Sequence, residues 1–146
     1  LGDVYKRQLN DRVAACKMFM ETVCRNRNIT LHLTLCDENP HVRMDTSLFE
    51  QVLVNIIKNA AESIGEEGNI FIRTSVFPTM LEIADTGAGI SKEVEAKLFS
   101  PFFSTKPNGQ GIGLIFIREV LMKHGCTFSL RTYSDGLTRF RIRFSA

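Results

Sequence analysis

The sequence predicts a two-layer α/β sandwich, a mixed sheet with helices on one face. Three observations predict it. The apolar patterning runs in the order α-β-α-β-β-(α)-α-β-β. Two hairpin signals, across Pro78 and at "SDG", join neighbouring strands. The last strand alternates, with Thr138, Phe140, Ile142 and Phe144 on one side and Arg139, Arg141 and Arg143 on the other. Consecutive strands that pair, interrupted by amphipathic helices, favour helices gathered on one face of a sheet.

The elements follow in chain order. Residues 1–8 show no periodicity and read as a linker or a non-native leader, with one domain over residues 9–146. Asp11 to Arg25 carries Val13, Cys16, Met20, Val23 and Cys24 at helical spacing. Ile29, Leu31, Leu33 and Leu35 alternate as in a half-buried strand. "DENPH" reads as a loop. Ser47 and Glu50 fit a capping box that opens a helix. Its apolar face is Phe49, Val52, Leu53, Ile56, Ile57, Ala60, Ala61 and Ile64, and Gly65 stops it. Strands are expected from Asn69 to Val76 and from Met80 to Ala84, then a short helix over Lys92 to Leu98. A helix from about Gly111 to His124 precedes strands Cys126 to Thr132 and Leu137 to Phe144. The arginine side of the last strand is expected to be the wetter face.

Bulk properties narrow the function. The 146 residues suit one domain, and 44% hydrophobic with 23% charged residues is ordinary for a globular protein. A net charge of +2 without a dense Lys/Arg block gives no nucleic-acid footprint. No apolar run approaches the roughly 20 residues that span a bilayer, so direct membrane insertion is not expected. Cys16, Cys24, Cys36 and Cys126 form no C-x-x-C pair, which argues for reduced thiols in a cytoplasmic setting.

Three segments carry possible chemistry. Asn55 and Asn59 share a helix face with Gln51 and Glu62. Their amides can offer oxygen to a hard cation or N–H to phosphate, or simply form a polar face. Asp85 keeps the parity of Leu81 and Ile83 and should face inward at a strand end, where a buried carboxylate needs a donor. Gly87 and Gly89 follow and allow a tight turn, although "DTGAGI" can also be an ordinary Asx turn. Gly109, Gly111 and Gly113 precede a helix, where backbone N–H groups can meet an anion. The segment matches neither the dinucleotide fingerprint nor the P-loop.

Together these segments resemble one family. "NIIKNAAESI" looks like the N box of the histidine-kinase, gyrase, chaperone and mismatch-repair ATPase superfamily. "DTGAGI" and "GQGIGL" resemble its two glycine boxes, "LFSPFFSTK" the F box of sensor histidine kinases, and "GLTRF" the final threonine motif. "PFFSTKPNGQGIGL" and "NAAES" look most like nitrogen-regulation and dicarboxylate sensors. The resemblance covers nearly the whole chain from about Leu9.

The resemblance implies a Bergerat ATP-binding fold with a mobile ATP lid, ATP and Mg2+ as cofactors, and roles residue by residue. Asn59 would bind magnesium, Asn55 would assist at the phosphates, and Asp85 would take the adenine amino group. Gly87, Gly89, Ile90 and Phe99 would shape the base pocket, with Thr138 close to Asp85. Thr105 and Lys106 would reach the phosphates from the lid. Gly109, Gly111, Ile112, Gly113 and Leu114 would cradle them at the helix start. Asn55, Asn59 and Lys106 would be the catalytic set. The implied partners are a histidine-bearing dimerisation domain of the same kinase and, downstream, a response regulator.

Departures refine this. Hydrolysing members typically carry a glutamate general base four residues before the magnesium asparagine. Here that position is Asn55, and an amide cannot take the proton. Transfer of the γ-phosphate to a nucleophile on another domain is therefore favoured. Many relatives have Lys or Arg where Glu62 stands, and Gly where Cys126 follows Gly125. His32, His41 and His124 lie in nothing resembling a phospho-acceptor box, and His124 reads as structural. The alternatives are a serine kinase of the anti-sigma type and a non-catalytic nucleotide-sensing module.

Overall fold

A computed structural model describes residues 4–100 and 112–145 of the chain. Twelve elements form: β1 (Val4–Gln8), α1 (Leu9–Ala15), α2 (Lys17–Arg25), β2 (Ile29–Thr34), β3 (His41–Asp45), α3 (Thr46–Ile64), β4 (Gly68–Val76), β5 (Thr79–Asp85), α4 (Lys92–Glu95), α5 (Ile112–Lys123), β6 (Thr127–Thr132) and β7 (Thr138–Arg143). The main sheet has the order β2-β4-β5-β7-β6. β2 runs parallel to β4, and the other neighbours are antiparallel. The sheet is mixed, as the sequence predicts.

The core lies between this sheet and the helices. Ile70, Ile72, Leu81, Ile83, Phe140 and Ile142 alternate toward it, and all are buried. α3 answers with Phe49, Val52, Leu53, Ile56, Ile57, Ala60 and Ala61, also buried. Burying each large aliphatic side chain contributes about 1.5–3 kcal/mol, so α3 is the helix that the core holds most firmly.

Several local expectations are corrected. α3 is capped by Asp45, not Ser47: Leu48 N donates to Asp45 Oδ1 at 3.0 Å. The cap lies two residues earlier because Asp45 is already extended as the last residue of β3. The "DENPH" loop holds through Pro40, and His41 opens a strand, His41–Asp45, that the sequence pattern did not mark. β3 pairs with Val4–Gln8, so those residues form a two-stranded ribbon with it. Ladder bonds come from the main chain and need no side-chain periodicity. The first helix is two helices broken at Cys16. There Cys16 N donates to Val13 O at 3.1 Å, a 3₁₀-type bond that tightens the turn.

His124 is structural, as expected. Its Nδ1–H donates to Val120 O at 2.8 Å, which leaves Nε2 bare to accept from Asp45 N at 3.0 Å. One imidazole thus ties the end of α5 to the start of α3. The four cysteines are unpaired, and burial pushes the Cys16 and Cys126 thiols up to about 11.

The arginine side of β7 is drier than its pattern suggests. Glu82 on β5 is 4% exposed and meets Arg141 at 2.7 Å, Arg73 at 3.3 Å and Arg139 at 3.6 Å. The Arg139 and Arg141 guanidiniums also lie over the Tyr133 ring, at 4.8 and 4.6 Å. Long apolar stems and planar heads let arginines cover a sheet face while staying paired. Arg143 remains exposed.

Candidate functional site

α3 organises the site along its length. Asn55 Nδ2 donates to Gln51 O at 2.8 Å, one turn back on the same helix. This turns Oδ1 toward α5: a side-chain carbon built on Gly113 would stand 3.7 Å from it. The helices α3 and α5 touch along this edge. The N-box asparagine and the last glycine of the second glycine box are thus brought together. Asn59 follows one turn on, half-buried on the same face.

A further turn along, the segment after β5 rests on the end of α3. Ala88 N donates to Ser63 O at 3.4 Å. Contact here is so close that a Cβ on Gly87 would run into Ser63 Oγ and fall 2.8 Å from the Ser63 carbonyl carbon. Only glycine fits. Eight residues of helix, or about 12 Å of axis, separate Ser63 from Asn55. The site is therefore an elongated one, with a carboxylate near one end and amides with a helix start at the other.

The carboxylate is Asp85, the last residue of β5 and 5% exposed. Its Oδ1 accepts from Gly87 N at 2.8 Å. No hydrogen bond among the described residues engages Oδ2. Burial pushes its pKa up to about 6, against the pull of the Gly87 N–H. A carboxylate in this state is a strong, orienting acceptor for an N–H donor from outside. Thr138 stands opposite Asp85 in the β5–β7 ladder, on the same face, and is equally buried.

The other residues singled out from sequence sort as follows. Gly89 turns with φ +81°. Ile90 is half-buried, and its N–H donates to Thr132 Oγ1 at 2.8 Å. Phe99 lies edge-on to Phe128 and Phe140, at 5.2 and 6.3 Å between ring centres, so its ring joins the core margin. Ile112 opens α5, followed by Gly113 and Leu114, and Leu114 packs against the core. Thr105, Lys106, Gly109 and Gly111 lie outside the described residues. Glu62 is exposed on the last turns of α3.

Two contributors were not singled out from sequence. Ser63 supports the glycine turn through its carbonyl, and no side-chain signal marks such a role. Thr132 was discoverable, since the "SDG" hairpin register sets it opposite Thr138.

A five-stranded mixed sheet, an asparagine-bearing helix and a buried aspartate before a glycine turn are thus gathered in one α/β domain. The chain belongs to the histidine kinase-, DNA gyrase B- and HSP90-like ATPase family, whose model matches residues 44–146. Among curated relatives it is 31% identical to the sensor histidine kinase ZraS of Escherichia coli O157:H7 over 80% of this chain and 26% of that protein. It is also 31% identical to the C4-dicarboxylate transport sensor protein DctS of Rhodobacter capsulatus over 92% of this chain and 21% of that protein. The chain thus spans about a quarter of the length of these relatives. The catalytic domain of histidine kinase ThkA, in a nucleotide-free form, superposes with a TM-score of 0.86 at 27% identity, covering 97% of this chain and 95% of that one. Within the family, the fold is that of a histidine kinase catalytic domain.

Proposed function

We propose that this domain binds Mg-ATP and transfers the γ-phosphate to a histidine on a separate dimerisation domain of a two-component sensor kinase. The observation that carries the reading is Asp85: a buried carboxylate with one oxygen held by Gly87 and the other left for a donor. An adenine amino group is such a donor. Gly87, Gly89 and Ile90 form the turn beside it, and Thr138 flanks it. Asn55, Asn59, Gly113 and the start of α5 lie toward the phosphate end, where Thr105, Lys106, Gly109 and Gly111 would join from the lid.

The donor set fits magnesium. Among the described residues no group of three His, Cys, Asp or Glu gathers to hold a metal. One amide oxygen, from Asn59, suits an ion that keeps phosphates and water as most of its ligands, with Asn55 assisting at the phosphates. Bound there, magnesium would supply charge neutralisation across the phosphates. The chain's own groups bind the base, align the phosphates and leave the transfer to be completed by an incoming nucleophile.

Asn55 supports transfer over hydrolysis. Its Nδ2 donates to Gln51 O, and its amide offers no basic site for activating water. A separate ThkA structure is a complex with the response regulator TrrA. By analogy, a receiver-type partner would act downstream of this domain, in the cytoplasm.

Labelled ATP with the isolated chain, and with the chain mixed with the histidine-bearing domain of its own kinase, tests this. Acid-labile label on the histidine domain, only in the mixture, is expected. Acid-labile label on this chain alone contradicts the reading, and acid-stable phosphoserine on a protein substrate replaces it with a serine kinase.

A further inference from the structure

Thr132, the last residue of β6, is the point on which the segment from Asp85 to α4 converges. Its Oγ1 accepts from Ile90 N at 2.8 Å and shares a hydrogen bond with Thr138 Oγ1, also at 2.8 Å. Its backbone N–H donates to Glu95 Oε2 on α4 at 3.2 Å. Gly89 passes so close that a Cβ there would stand 3.2 Å from Thr132 Oγ1 and 3.3 Å from Cγ2. Two points of the segment, at Ile90 and at Glu95, are thus held by one residue of another strand.

The direction of the shared hydrogen bond decides which hydroxyl faces the pocket with a free hydrogen. Each hydroxyl has one hydrogen to donate. If Thr138 donated to Thr132, the Thr132 hydrogen would need a second acceptor, and no other hydrogen bond of its hydroxyl is present among the described residues. If Thr132 donates to Thr138, the Thr132 hydroxyl is satisfied within the fold, and the one hydrogen left over is that of Thr138, available to a ligand in the pocket. Thr138 stands opposite Asp85. The pair then presents a donor beside an acceptor. Adenine offers the complement, a ring nitrogen acceptor beside an amino donor, whereas guanine offers the reverse on that edge.

We propose that Thr132 is a positioning residue of the nucleotide pocket: it anchors the glycine turn through Ile90 and fixes Thr138 as a hydrogen-bond donor toward the base. This deepens the ATP reading and rests on it. The anchoring half can be read without any nucleotide.

Two variants and two measurements test it. Thr132→Ala removes the hydroxyl, and Thr132→Ser restores it. Amide hydrogen exchange at Ile90 in the nucleotide-free chain reports the anchor, and titration with Mg-ATP and Mg-GTP reports the pocket. For Thr132→Ala the expected result is exchange at Ile90 faster by about tenfold, ATP binding weaker by about tenfold and a narrower ATP-over-GTP preference. For Thr132→Ser all three should lie within about twofold of wild type. Wild-type exchange and wild-type ATP binding in Thr132→Ala overturn the proposal, as does a Thr132→Ser variant impaired as much as Thr132→Ala. Should the wild-type chain bind no ATP, the parent reading falls. Exchange at Ile90 then decides the anchor alone: unchanged protection in Thr132→Ala overturns it.

Discussion

At the scale of single residues, burial makes the Asp85 charge costly. Folding raises its pKa from the ordinary 3.8 to about 6, because burial penalises the charge. The folded state therefore prefers the neutral acid. The stability this supplies is complete below about pH 3.8 and lost as pH rises through about 6. A shift of this size corresponds to about 3 kcal/mol against the ionised, folded domain. Asp85→Asn keeps an acceptor for the Gly87 N–H and carries no charge to desolvate. It should melt higher than wild type at pH 8, by roughly 5–10 °C, and lose that advantage at pH 4. Equal melting at pH 8 would show that the buried charge is not costly. The burial of Asp85 was legible in the sequence because strand parity carries inward from Leu81 and Ile83. The Thr132–Thr138 contact beside it was less so, because it is read only through the β6–β7 hairpin register and not from residue spacing.

At the scale of elements, α3 measures out the site. Its apolar spacing made it the most legible element, and every residue assigned to its face is buried or packs on the core. Its cap was misplaced because Ser47 and Glu50 mimic a capping box, while Asp45 sits closer to the turn out of β3. The contact between the end of α3 and the glycine turn should be sensitive to one methyl group. Gly87→Ala drives a Cβ into Ser63, including its backbone, and should cost about 1–3 kcal/mol in urea unfolding together with a loss of ATP affinity. Gly136→Ala meets nothing within 4 Å and carries only the strain of φ +86°, about 1 kcal/mol. It should leave ATP binding unchanged. Similar ATP affinities in the two variants would separate the turn from the site.

At the scale of the whole molecule, one sheet serves two environments. Its helix-facing side carries the apolar core and, at the strand ends, Asp85 and Thr138. Its other side gathers Arg73, Arg139 and Arg141 around the buried Glu82. Glu82→Gln removes the charge all three share and should destabilise the domain by about 3 kcal/mol, read by urea unfolding, with little change in nucleotide affinity. The sandwich was legible from alternation and hairpin turns. The β1–β3 ribbon was not, because it rests on main-chain pairing between short segments of irregular composition. Among the described residues, Asn55, Asn59, Asp85, Gly87 and Gly113 come from separate stretches of sequence that the fold lays along α3 as a candidate site. The most direct test of the central claim is calorimetric titration of the chain and of Asp85→Asn with Mg-ATP and Mg-GTP. Wild type should bind ATP at least about tenfold more tightly than GTP, and Asp85→Asn should lose that ATP binding. Equal affinity for the two nucleotides, or ATP binding undiminished in Asp85→Asn, would contradict the account.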